Sequence, residues 1–236
     1  MRTLIVLITA FSRLNWLLRW PVRRVLYKQI YFSGVQSSGL ILLIALAVGG
    51  IVAGKLHYQI GQSGSGAIRL LASLTLTELA PLITGVVLCA RSTSAMASEL
   101  ALMRHQGDIT ALEMLGVDVM GYLVMPRILG MLAAAGMLSF YFAVAAILAG
   151  ALGVAGLAWP AAITQLPAIL TISMLWQCMG KGLAFGAGIA AVACRRGLIA
   201  AGGGTDVPIA ASQAVVRALL VLFGLDLVFI SIAYWG

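Results

Sequence analysis

The chain has 236 residues, of which 62% are hydrophobic and only 9% are charged. A soluble protein of this length could not keep so apolar a surface in water, so the composition excludes soluble classes and indicates an integral membrane protein with several spans. The net charge of +8 fits basic residues that flank spans and meet anionic lipid. Nucleic acid is therefore not an expected partner.

Residues 1–30 mix apolar side chains with six basic ones, which are Arg2, Arg13, Arg19, Arg23, Arg24 and Lys28. Residues 3–11 resemble a signal-peptide core, but a poor cleavage context follows them and they are too short to span a membrane. We expect residues 1–30 to form an amphipathic helix in the membrane interface, with Trp16 and Trp20 at headgroup level. Residues 31–236 are then the transmembrane domain.

Long apolar stretches predict an all-α fold with five transmembrane helices, at residues 33–54, 67–103, 121–149, 166–194 and 208–234. Gly49, Gly50 and Gly54 give the first span a small-residue face for close helix contact. The second span is longer than the hydrocarbon needs, so we expect it to tilt, to kink at Pro81 or to project beyond the membrane. External loops are expected at residues 55–66 and 150–160. Most Lys and Arg residues lie in the other connecting segments, which places the N-terminus in the cytoplasm.

Three charged residues lie deep in these spans. Glu78 belongs to the second span, and an acid at this depth pairs, protonates or faces a polar cavity. We favour a cavity role, with a structural hydrogen bond between helices as the alternative. Lys181 and Asp226 lie in the fourth and fifth spans, and we expect them to form a buried structural ion pair, because either charge alone would be costly.

Residues 105–118 have helical periodicity and connect the second and third spans. Ile109, Leu112 and Leu115 fall on one face and are expected to anchor the helix to the membrane domain. The opposite face carries Gln106, Asp108, Thr110 and Glu113. A short polar-faced helix here suits a transporter subunit that takes force from a soluble partner, and an ordinary surface connector is the alternative.

The sequence predicts neither catalysis nor a cofactor in this chain. Gly180-Lys181-Gly182 lacks the remaining residues of a phosphate-binding P-loop and lies within a span. Three cysteines and two histidines show no metal-ligand spacing. We therefore expect no enzyme activity, no metal site and no ATP site.

Several motifs together resemble the MlaE family of lipid-transporting ABC permeases. The resemblance covers most of the chain from about residue 29 onward, and Lys181 and Leu225-Asp226 agree with it near the C-terminus. The motifs are E-L-A-P-L-I-T at 78–84, A-R-S-T-S-A at 90–95, A-L-E-M-L-G-V-D at 111–118 and Y-L-V-M-P-R at 122–127.

The resemblance implies a homodimer with phospholipid held in a cavity between the two copies. We expect Glu78, Thr77, Leu82 and Gly50 to line that cavity, although the family often has arginine where Thr77 stands. The resemblance also implies a cytoplasmic ABC ATPase, which binds ATP and Mg²⁺ and docks on the short helix. The docking residues would be Gln106, Asp108, Thr110 and Glu113. A periplasmic MCE-type lipid-binding protein is the partner on the other face.

The function expected from this resemblance is a permease subunit in the bacterial inner membrane that moves phospholipid to or from the periplasmic protein. One alternative is a stand-alone ion-coupled transporter that uses Glu78 as its ion or proton site. A structural or insertase-like membrane protein is a third.

Overall fold

The computed structural model describes residues 20–60, 70, 72–155, 171–200 and 206–235. Nearly all of them are helical, and no strand occurs within these ranges. The helices are α1 (Trp20–Ile30), α2 (Gln36–Ile60), α3 (Ala80–Leu88), α4 (Ser94–His105), α5 (Asp108–Met114), α6 (Met125–Ala155), α7 (Ile172–Ile199) and α8 (Asp206–Trp235). The π-helical turns are Tyr31–Val35, Thr75–Leu79, Cys89–Thr93 and Met120–Val124.

Within the described ranges, five helical stretches are long and apolar enough to cross a membrane. They are Val22–Lys55, Ala72–His105, Met120–Leu152, Ile172–Ile199 and Val207–Ala233. The prediction of an all-α membrane protein with five spans is therefore confirmed.

Some predicted boundaries are wrong. Helix α2 continues to Ile60 and α6 to Ala155, so residues 55–60 and 150–155 are helical where loops were expected. Helix α7 runs on to Ile199, five residues beyond the predicted end of the fourth span. In each case the segment just past the apolar stretch lacks proline, and a helix can extend beyond the hydrocarbon until a breaker stops it.

The structure describes only residues 20–30 of the amphipathic helix predicted at residues 1–30. Residues 1–19, including Trp16, lie outside the described residues. Helix α1 continues into α2 through the π-helical turn Tyr31–Val35, so residues 20–30 are helical and joined to the first span. The interfacial placement of residues 1–30 stays a prediction.

Two of the π-helical turns end two residues before a proline. The Ala80 N–H bonds to the Thr75 carbonyl, and the Met125 N–H bonds to the Met120 carbonyl, five residues back in each case. Pro81 and Pro126 follow. A proline ring has no N–H and collides with the carbonyl four residues earlier, so a locally wider helix accommodates it. A kink at Pro81 stays a prediction.

The first of two compact units comprises Met1–Gln36, Gly85–Ala135 and Leu183–Gly236. Within it, α4 packs along α8. The side chains of Phe185 and Phe229 meet edge to face with ring centroids 6.2 Å apart. A Cβ atom on Gly197 would lie 2.8 Å from the Ala97 carbonyl oxygen, so this contact between α7 and α4 requires glycine.

The second unit comprises Ser37–Thr84 and Gly136–Gly182. In it the backbone of Gly49 lies so close to the Ala146 carbonyl that any Cβ atom would overlap it. The predicted close helix contact is thus confirmed at Gly49. At Gly50 and Gly54 a Cβ atom would meet no described atom within 4 Å.

Candidate functional site

Glu78 lies in the π-helical turn Thr75–Leu79 of the second unit. Its carboxylate accepts a hydrogen bond from the Lys181 ammonium, with Nζ and Oε1 separated by 2.7 Å. The lysine side chain is only 8% exposed, whereas that of Glu78 is 38% exposed. The pair therefore has one buried partner and one that reaches accessible space.

This pairing was not predicted from the sequence, which joined Lys181 to Asp226. Asp226 is buried in α8 and belongs to the first unit, and its pairing with Lys181 stays a prediction. A carboxylate and an ammonium group at membrane depth in two different spans were the available signal for the pairing of Glu78 with Lys181. However, that signal does not choose between two carboxylates when the facing of each helix is unknown.

The other expected cavity residues also belong to the second unit. Thr77 is half-buried, and its hydroxyl donates to the Ser73 carbonyl at 2.9 Å. Its polar group is therefore used within its own helix. Leu82 and Gly50 are half-buried. The role of these residues in lining a lipid cavity stays a prediction.

A second charged cluster lies in the first unit, and the sequence analysis did not predict it. The Glu99 carboxylate forms salt bridges with Arg127, at 3.2 Å, and with Lys28, at 3.3 Å. Arg127 stands at the start of α6, Glu99 on α4 and Lys28 on α1. All three border a cavity of about 460 Å³. Glu99 and Arg127 each lie near the end of an apolar stretch, which was a usable signal.

The short helix α5 follows the break between α4 and the third span. Gly107 adopts a left-handed backbone with φ of 82°, and Gly116 has φ of 72°. Only glycine takes such angles without strain, so these residues allow the chain to turn on both sides of α5. Asp108 stands in the first turn, where a carboxylate complements the helix dipole.

The predicted faces of α5 are partly correct. Ile109 is fully buried and Leu112 half-buried, as expected of an anchor. Leu115 is 78% exposed, so its assignment to the anchor is wrong. The helix ends at Met114, and the turn at Gly116 takes Leu115 out of the helical period.

The expected docking residues Gln106, Asp108, Thr110 and Glu113 are all exposed. Gln106 precedes the helix, and its backbone N–H bonds to the Leu102 carbonyl at the end of α4. The other three lie on α5 itself. Whether they bind a partner stays a prediction.

Fold and site together define a class of protein: a multi-pass helical membrane protein with an ion pair inside its spans and a short surface helix between the second and third. The family model described as "Permease MlaE" matches residues 26–232. The chain therefore belongs to the MlaE permease family.

Named relatives agree with this assignment. A probable ABC transporter permease protein of Synechocystis is 33% identical over 85% of this chain and 78% of its own length. The intermembrane phospholipid transport system permease protein MlaE of Haemophilus influenzae is 28% identical over 89% of this chain and 83% of its own. The chloroplastic protein TRIGALACTOSYLDIACYLGLYCEROL 1 of Arabidopsis thaliana is 28% identical over 89% and 61%, respectively.

Proposed function

We propose that this chain is the membrane-spanning permease subunit of an ABC transporter that moves phospholipid. The observation that carries the proposal is the family match over residues 26–232. The names of the Synechocystis and Haemophilus relatives support the ABC class and the phospholipid substrate. ATP hydrolysis then resides in a separate subunit, and this chain is not itself an enzyme.

The proposed assembly is a homodimer in the bacterial inner membrane, with the N-terminus of each copy in the cytoplasm. A periplasmic MCE-type protein exchanges phospholipid with the dimer. The transport cavity is lined by Glu78, Thr77, Leu82 and Gly50. The partial exposure of Glu78 beside the buried Lys181 supports this placement, because an ion pair with one accessible partner can meet a polar headgroup.

Helix α5 is the proposed contact for the ATPase. Ile109 is fully buried, so it can hold the helix on the permease, while Asp108, Thr110 and Glu113 remain exposed. A short helix fixed at one buried side chain can transmit the movement of a docked partner. Met114, which is 83% exposed, and Leu115 add apolar surface of the kind that a protein partner covers.

The test is a pull-down of the ATPase by the detergent-solubilised permease, beside a thermal-stability measurement on the permease alone. We expect the Asp108→Lys, Glu113→Lys double variant to lose the ATPase, because two exposed acids become basic, while the permease stays folded. The Asp108→Glu, Glu113→Asp variant keeps both charges and should retain the ATPase. If the charge-reversed variant binds the ATPase and supports unchanged hydrolysis, α5 is only a connector.

A stand-alone ion-coupled transporter is the competing function. It would require Glu78 to exchange Lys181 for a proton or metal ion during each cycle. Such a transporter would move its substrate along an ion gradient with no ATPase present, whereas the proposed permease would not.

A further inference from the structure

The cavity in the first unit has a volume of about 460 Å³, within the range of small-molecule binding sites. Most of its wall is apolar and is formed by Val25, Phe32, Ala95, Met96, Met103 and Leu123. The polar part of the wall includes Lys28, Glu99 and Arg127. A cavity with an apolar wall and a charged edge suits a ligand that has both characters.

The charged edge carries a positive excess. Lys28 and Arg127 face Glu99, which is the sole carboxylate on the described wall of the cavity. The guanidinium of Arg91 lies nearby, 5.5 Å from the ring centre of Phe32, which lines the cavity. One carboxylate thus balances only one of the two cations that line the cavity.

Arg127 also has unused hydrogen-bonding capacity. Its side chain is 5% exposed, and Nη2 bonds to Glu99. The other terminal nitrogen, Nη1, is buried with no hydrogen-bond acceptor among the described residues. A buried guanidinium N–H group without an acceptor is costly, so an acceptor from outside these residues would stabilise the site.

We next consider whether a carboxylate of residues 1–19 could accept a hydrogen bond from Arg127 Nη1. These 19 residues contain three arginines and no carboxylate. A ligand that satisfies Arg127 and offsets the positive excess must carry acceptor oxygens and a negative charge. Arginine and lysine together favour a phosphate, which accepts several charge-assisted hydrogen bonds.

We propose that this cavity binds the phosphodiester headgroup of a membrane phospholipid. Arg127 Nη1 and the Lys28 ammonium contact the phosphate oxygens, and the apolar wall covers the first part of an acyl chain. The cavity volume exceeds what a phosphate alone needs, which favours a lipid over the free anion. None of these residues belongs to the proposed transport cavity, so this is a second lipid site.

The test is photo-crosslinking of the purified permease, without its ATPase, to phosphatidylglycerol that carries a photoreactive group near the start of one acyl chain. Labelled peptides are mapped by mass spectrometry. We expect label in residues 25–32 and 95–103. Excess unlabelled phosphatidylglycerol should remove it, whereas diacylglycerol, which has no phosphate, should not.

Lys28→Met is the decisive variant, because its side chain is 77% exposed and its loss should not affect folding. We expect labelling of the cavity to require about fivefold more lipid, the usual scale for one exposed charge contact. Arg24→Met is the matched control, since it removes a neighbouring cation of α1 that does not line the cavity. Arg127→Lys keeps the charge but loses the planar fork, and should weaken labelling about tenfold.

Four results would overturn the proposal, and the fourth is competition by the free anion. The first is the absence of label from both segments. The second is equal labelling of the Lys28→Met and Arg24→Met variants, which would indicate nonspecific lipid contact. The third is full competition by diacylglycerol, which would show that the apolar wall binds chains without the phosphate. Competition by inorganic phosphate at the same concentration as the lipid would assign the site to the free anion.

Discussion

At the residue scale, the ion pair between Glu78 and Lys181 is the feature most specific to a function inside the membrane. The buried lysine depends on nearby carboxylates, whereas the half-exposed glutamate can be hydrated if its partner is lost. Removing the carboxylate should therefore destabilise the protein more than removing the ammonium. The two groups form one salt bridge, but we expect the loss of each to lower stability by a different amount.

A double-mutant cycle measures this pair. We expect Glu78→Gln to lower stability by about 2–3 kcal/mol and Lys181→Met by about 1–2 kcal/mol, with the double variant less destabilised than the sum. Thermal unfolding in detergent gives the values. Additive effects would mean that the two side chains do not interact. A parallel cycle with Asp226→Asn tests the predicted contact of Lys181 with Asp226.

Gly49 provides a second test at this scale. Gly49→Ala places a Cβ atom against the Ala146 carbonyl, and we expect a loss of about 1–3 kcal/mol, the usual cost of overpacking. Gly39→Ala in the same helix meets no described atom within 4 Å, so it should be neutral or stabilise by up to about 1 kcal/mol through helix propensity. If the two variants unfold at the same temperature, α2 and α6 do not approach as closely as described.

At the element scale, the seven-residue helix α5 carries one fully buried side chain, Ile109, next to the exposed side chains that we propose bind the ATPase. Ile109→Ala removes a fully buried side chain and should cost about 2–5 kcal/mol of stability. Leu115→Ala trims an exposed side chain and should leave thermal stability unchanged while weakening ATPase binding. Thermal unfolding and the ATPase pull-down distinguish the two outcomes. A Leu115→Ala protein that unfolds early and binds the ATPase normally would reverse these roles.

Helical period alone placed Ile109 and Leu112 correctly but not Leu115. The pattern assumes that a helix continues, and the left-handed backbone at Gly116 ends it. Glycine at that position was visible in the sequence as a stop signal. The π-helical turns before Pro81 and Pro126 were harder to predict from the sequence. A proline predicts an irregular helix without specifying which hydrogen-bonding pattern replaces the regular one.

At the scale of the whole molecule, the five spans were predictable because hydrocarbon thickness fixes the length of an uncharged stretch. The grouping of residues in space was not, because the spans are apolar on most sides and carry little periodicity to orient them. For this reason the sequence analysis missed the pairing of Lys181 with Glu78 and the cluster of Lys28, Glu99 and Arg127. Only the placement of helices within each unit brings those charges together.

The central claim is that this permease moves phospholipid with energy from a separate ATPase. The direct measurement is transfer of labelled phospholipid between proteoliposomes that contain the permease with its ATPase and the soluble MCE-type partner. We predict transfer that requires ATP hydrolysis and is lost in the Asp108→Lys, Glu113→Lys variant. Transfer by the permease alone, driven by an ion gradient and unaffected by ATP, would contradict the account.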